Sequence, residues 1–143
     1  MGGRTVRFTI PGPPKGKARA RTLKSGISYT PKDTVVYEKM VRECFRAEAG
    51  PDWIIHEGPV QLTIGARFPV PRATSKRKRE LMLVGEISPT KKPDWDNIGK
   101  IVSDALNKVA YHDDSQIIYC ELSKVYRDTP GVYVELYFEE GIQ

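Results

Sequence analysis

The chain has 143 residues, 39% of them hydrophobic and 29% charged, with a formal net charge of +5. That length suits a single domain with a buried core, and the composition is that of an ordinary soluble globular protein. No segment is long and apolar enough to span a membrane.

The net charge hides an asymmetry. Residues 1–92 hold 19 Lys/Arg against 8 Asp/Glu, a balance of +11, whereas residues 93–143 hold 4 against 10, a balance of −6. A basic part beside an acidic part suits a polyanion-binding surface next to a metal-binding cluster; the plainer alternative is charge pairing within one fold. The opening "MGGRTVRFTIPG" lacks a signal-peptide apolar core, and Val6 stands where a myristoylated chain wants Ser or Thr. Cys44 and Cys120 lie far apart in apolar surroundings, with no zinc-type spacing. They are expected to be buried thiols in a reducing compartment, with the protein cytoplasmic.

In chain order, "RTVRFTI" (4–10) alternates, with Val6, Phe8 and Ile10 on one face of a half-buried strand. The Pro/Gly-rich stretch that follows carries Lys15, Lys17, Arg19, Arg21 and Lys24 and reads as a basic loop. Residues 34–49 read as a helix, with apolar Val36, Tyr37, Met40, Val41, Cys44 and Phe45, ended by Gly50-Pro51. Residues 58–71 read as a strand that stops at Pro69. Residues 74–85 form a short basic helix, capped by Thr74 or Ser75, with Lys76, Arg77, Lys78 and Arg79. From Asn97 to Val109 an apolar stripe of Ile98, Ile101, Val102, Ala105, Leu106 and Val109 marks the clearest helix. Residues 116–127 and 131–138 are strands joined by "DTPG", and this pair reads as a hairpin. The order β-α-β-α-α-β-β predicts an α/β (α+β) fold: a single compact domain, residues 1–143, with a mixed sheet and flanking helices.

"KKPDWDNIGK" (91–100) gathers acids just after a basic stretch. If Asp96 is the helix N-cap, residues 94–96 are extended, both carboxylates lie on one side and Trp95 on the other. If Pro93 opens the helix, Asp94 and Asp96 diverge around its axis. Asp96, Lys100, Asp104 and Asn107 fall opposite the apolar stripe, so they do not serve the core. The structural explanation is a helix cap with an Asp96–Lys100 surface pair worth about 0.3–0.5 kcal/mol. Against it, two carboxylates ~6 Å apart repel by roughly 3 kcal/mol at an effective dielectric near 20. Asp113 and Asp114 add two more acids beyond the same helix. Converging carboxylates without His or Cys favour Mg²⁺, with Mn²⁺ as the other candidate. Gly99 costs its helix about 1 kcal/mol relative to Ala, which points either to close approach of a substrate or backbone or to tight helix packing.

The run "KPDWDNIGKIVSDAL…YHDDSQI" resembles the core signature of the RusA family of Holliday-junction resolvases, and the resemblance extends through "FTIPGPPKGKARART" and "SYTPKDTVVYE". It implies a homodimeric, metal-dependent endonuclease that nicks four-way DNA junctions symmetrically. It implies metal-binding acids at Asp94, Asp96 and Asp114 and a functional lysine at Lys100. Asp113 and Asp114 adjoin at the entry to a strand, where neighbours point to opposite faces, and the spacing alone does not choose between them. The DNA backbone would be held by Lys15, Lys17, Arg19, Arg21, Lys76, Arg77, Lys78 and Arg79, although solubility alone explains any one of them. Trp95 would either wedge into the junction or pack in a core or dimer contact. His112 would be either a proton-transfer group or a turn residue. The reading from another class is a catalytically silent binder of branched DNA, and a third is a nuclease for other branched DNA.

Overall fold

The computed structural model describes residues 2–18 and 21–141, with Arg21 described by its backbone alone. Arg19 and the side chain of Arg21, both expected to contact DNA, therefore lie outside the described residues.

A four-stranded sheet carries the fold. The elements that build and cover it are β1 (Gly3–Pro11), α1 (Lys32–Ala49), β4 (Val60–Pro69), α2 (Lys76–Leu83), α3 (Trp95–Ala105), β5 (Ile117–Arg127) and β6 (Gly131–Glu139). Two short strands, β2 (Arg21–Thr22) and β3 (Ser28–Tyr29), pair with each other in the region read as loop. The sheet order is β1-β6-β4-β5. β4 runs parallel to β5, and the other pairs are antiparallel. A parallel pair needs a long crossover, and here α2 and α3 lie in it. The mixed α+β sheet with three helices is the predicted architecture.

The strand alternation sets the core. Phe8, Val134, Ile64 and Leu122 lie opposite one another in a row across all four strands. The first three are buried, and Leu122 packs against the core. α1 adds Tyr37, Val41 and Phe45 to the core, and α3 adds Ile98, Ile101 and Val102. The intervening strand positions carry polar groups, among them Arg7, whose Nε donates to Glu135 at 2.7 Å, and Tyr133, whose hydroxyl donates to the same carboxylate at 3.0 Å. One apolar and one polar face is the usual pattern of a sheet covered on one side. No helix among the described residues is long and apolar enough to cross a membrane.

Four local expectations are corrected. β5 and β6 are not a hairpin, because β4 lies between them. The four Cα–Cα steps from Arg127 to Gly131 reach up to about 13–14 Å, enough to step over one strand at ~4.8 Å spacing. β4 buries Val60, Leu62, Ile64, Ala66 and Phe68 and so belongs inside the sheet, whereas β5 exposes Ile118 and Tyr119 at the edge. In α1 the buried line is Thr34, Tyr37, Val41, Phe45 and Ala49, which leaves Val36 in solvent. α3 ends at Ala105 rather than near Val109. Lys108 takes a positive φ of 63°, and its N–H donates to the Tyr111 carbonyl at 2.8 Å, turning the chain back. Finally, Cys120 is exposed on the edge strand and Cys44 is half-buried, so neither is the fully buried thiol expected.

Candidate active site

The acidic cluster is assembled at the start of α3 and the turn before β5. Lys92–Pro93 is a cis peptide. Asp94, not Asp96, is the N-cap: its backbone is extended (φ −68°, ψ 152°), but its side chain makes no cap hydrogen bond. Asp96 sits in the first turn and accepts from the Asn97 N–H at 3.0 Å. The chain therefore falls between the two geometries weighed for 93–96. The helix begins after an extended Asp94, and Asp96 lies within it.

α3 turns Ile98, Ile101 and Val102 into the core, leaving Asp96, Lys100 and Asp104 on the side away from that stripe. Lys100 pairs with Asp104 (3.7 Å), one turn on, rather than with Asp96. Asp96, Lys100, Ser103 and Asp114 line one cleft of about 310 Å³ between α3 and the start of β5.

A turn gives Asp113 and Asp114 different surroundings. The two residues are not strand neighbours, because Asp114 opens a 3₁₀ turn (Asp114–Gln116) that precedes β5. Asp113 caps this turn: its carboxylate accepts from the Ser115 N–H at 3.0 Å, and those bonds hold its pKa below the ordinary carboxylate value. Gln116 closes the box. Its side-chain oxygen accepts from the N–H groups of His112 (2.8 Å) and Asp113 (3.0 Å), and its amide donates to the carbonyls of His56 and Gly58. With Asp113 occupied, Asp114 is the acid on the cleft. Burial, then the charges of Asp113 and Asp104, push the Asp114 carboxyl above its ordinary value, while Lys100 pulls the other way. A carboxyl raised by burial and by like-charged neighbours is a group a cation would relieve. Tyr111, fully buried, donates its hydroxyl to the Ser103 carbonyl at 2.7 Å and ties the turn to α3.

The basic loop crosses the start of α3 at very close range. A β-carbon at Gly16 would lie 2.9 Å from that of Pro93 and 3.0 Å from that of Asn97, so glycine is required there. The Lys17 N–H donates to the Asn97 carbonyl at 2.9 Å. This delivers the Lys17 ammonium to Glu38 of α1 (2.7 Å) and to Asp104 (3.5 Å). Burial opposes its charge, but the Glu38 bond and the charges of Glu38 and Asp104 outweigh that and raise its pKa. Lys15 pairs with Asp33 at 2.6 Å. On α2, Ser75 is the cap and accepts from the Lys78 N–H. Lys76, Arg77 and Lys78 stand exposed, and Arg79 pairs with Asp128.

The structure thus brings Asp96, Lys100 and Asp114 to one cleft, with Asp104 beside them, and leaves Asp94 exposed at the N-cap just outside the lining. Trp95 does not face away from the acids. It lies on the same cleft and is 65% exposed, so it is not a core residue. His112 turns to Glu57 (3.5 Å) and lines a separate hollow. The sequence reading missed Glu38 and the bracing role of Lys17, since nothing in the local pattern links residues 17, 38 and 104. It gave Gln116 no role, although a glutamine three residues after an aspartate is itself the signal of a capping box. The acids of the cleft are all carboxylates, the donors that hard cations take. Among the described residues no group of three or more His, Cys, Asp or Glu stands close enough, as the side chains lie, to hold a metal ion.

Comparison with known proteins gives a family for the chain. The chain is similar to the "Uncharacterized protein YqaN" of Bacillus subtilis (strain 168), 35% identical over 133 residues that cover 90% of this chain and 93% of that protein. The family model described as "Endodeoxyribonuclease RusA" matches residues 11–137, which take in the basic loop, α3, the Asp113–Asp114 turn and β5. The chain belongs to the RusA family of endodeoxyribonucleases.

Proposed function

We propose that this protein is a metal-dependent endonuclease that resolves four-way DNA junctions, with two copies nicking opposed strands symmetrically. The observation that carries the reading is the cleft on which Asp96, Lys100 and Asp114 meet, with the Asp114 carboxyl raised by burial and then by its acidic neighbours. Asp94, Asp96 and Asp114 would hold Mg²⁺, or Mn²⁺ in its place. When bound, the ion lowers the pKa of a bound water and screens the charge that grows on the phosphate. Lys100, 60% exposed and braced by Asp104, is free to donate to a phosphate oxygen as that charge develops. Lys17 holds Asp104 and α1 in register from below, which keeps the Lys100–Asp104 pair in place. The exposed cations of α2 would bind the DNA backbone, giving affinity without reading sequence.

The test is a labelled four-way junction beside a matched linear duplex, with Mg²⁺, Ca²⁺ or EDTA, using wild type and Asp96→Asn. Paired nicks are expected in the junction alone, only with Mg²⁺ and only with wild type. Junction binding without cleavage in any metal would instead make this a silent binder of branched DNA. Normal cutting by Asp96→Asn would remove Asp96 from the site.

A further inference from the structure

The cleft has a second wall that phosphate chemistry does not use. Besides Asp96, Lys100 and Asp114 it is lined by Trp95 and Gly99 of α3 and by Leu62, Ile117, Cys120 and Leu122 of the sheet. A phosphate with a hydrated cation gains nothing from an apolar wall. Gly99 adds a separate observation. A β-carbon there would meet only Leu122 Cδ1, at 3.9 Å, which is ordinary contact, so packing does not demand glycine. Its φ is not in the left-handed region either. A glycine that weakens its helix without serving backbone or packing leaves bare surface on the cleft. At about 310 Å³ the cleft is at the small end of ligand pockets, room for one planar ring system.

We infer that this wall receives the nucleobase next to the scissile phosphate, stacked on the Trp95 indole over Gly99. The proposal rests on the nuclease reading and deepens it: the enzyme reads an unstacked base as well as a backbone. Base–aromatic stacking tolerates any base but requires the base to leave its helical stack. Bases beside a branch point leave it most readily. Trp95 is thus a substrate-contact residue that helps the protein prefer branched over linear DNA.

The experiment combines binding and cleavage. Tryptophan emission is followed as a four-way junction is added in Ca²⁺, and cleavage is then timed in Mg²⁺, using wild type, Trp95→Ala and Gly99→Ala. A series of junctions carrying one abasic site at each position around the cut is run in parallel. Quenching is expected in wild type and not in Trp95→Ala, which keeps only Trp53. Cleavage should fall about tenfold in Trp95→Ala, within the range for removing one base–aromatic stack. One abasic position should slow wild type by a similar factor and leave Trp95→Ala unaffected. Gly99→Ala should melt higher than wild type yet cut more slowly, which a folding defect cannot produce. Unquenched emission, or variants that cut like wild type at every abasic position, would overturn the stacked base while leaving the nuclease standing. Failure of the nuclease reading appears separately, as wild type that cuts nothing in any metal. The quench then decides the stacking alone, since it needs binding only.

Discussion

Two basic regions that look alike in the sequence behave differently in the fold. The loop with Lys15 and Lys17 and the helix with Lys76, Arg77 and Lys78 are both short, cation-rich and flanked by turn-forming residues. In the loop each of these lysines has a carboxylate: Asp33 for Lys15, Glu38 and Asp104 for Lys17. On α2 the three cations stand exposed, with no carboxylate of the described residues within salt-bridge distance. The difference lies in what each element crosses. Gly16 lets the loop lie against α3 and beside α1, where acids already wait, whereas α2 packs against the edge strand β5 and turns its cations outward. Positive charge in a sequence therefore counts toward phosphate binding only after the fold has used part of it in internal pairs.

Mutations can test whether the two regions really differ. The largest effect is expected from Lys76→Ala/Arg77→Ala/Lys78→Ala. Removing one phosphate-binding cation should lower the slope of log affinity against log salt by about 0.9. Titrations of junction DNA at several salt concentrations should show a fall of up to about 2.7 for the triple variant, with an unchanged melting temperature. An unchanged slope would mean that α2 is ordinary surface.

Next comes Lys17→Ala. It strips a mostly buried ammonium from Glu38 and Asp104 and should cost about 1.5–3 kcal/mol, the scale of a hydrogen bond to a charged partner. Thermal melts should show it as a loss of several degrees. The pH dependence has a definite sign. The Lys17 pKa is raised in the folded state, so its contribution is complete below the ordinary lysine value and fades as pH rises through the raised one. On the alkaline side, the gap in melting temperature between wild type and Lys17→Ala should therefore narrow only in strongly alkaline buffer. A gap that closed nearer neutral pH would point to a different group.

The smallest effect is expected from Lys15→Ala. Its partner Asp33 is fully exposed, and such solvent-screened pairs contribute little to stability. The Asp33 carboxyl is held below its ordinary value chiefly by the Lys15 bond. That contribution is present above the unfolded carboxylate pKa and is lost as the solution is acidified through the folded one. Melts of wild type and Lys15→Ala should nearly coincide at neutral pH and merge in acid. A loss as large as that of Lys17→Ala would erase the distinction between the two lysines.

The site was partly legible from residues alone, and the limits of that legibility are physical. The stripe from Ile98 to Leu106 was readable because a 3.6-residue period is a local property of the chain. Asp96, Lys100 and Asp104 followed from it, since the polar face of a helix is fixed once its apolar face is known. Asp113 and Asp114 could not be separated on spacing, because the choice rests on which carboxylate the Ser115 and Gln116 turn consumes. Trp95 looked like a packing residue and stands on the cleft, because its direction depends on the helix starting at residue 95 rather than 97. The hairpin failed for a related reason: "DTPG" specifies a reversal of the chain, not the neighbour the returning strand will find.

Properties carried by near neighbours were set in the amino-acid order itself: the helices and strands, the cap at Ser75, the acid-rich entry to α3 and the family signature. Periodicity, capping and turn chemistry act within a few residues, so they can be read without a fold. The place of β4 between β5 and β6, the pairing of Lys17 with Glu38 and Asp104, and the meeting of Asp96, Lys100 and Asp114 at one cleft emerged only in three dimensions. Those depend on burial and charge between segments far apart in the chain, and such energies exist only once packing has brought the segments together.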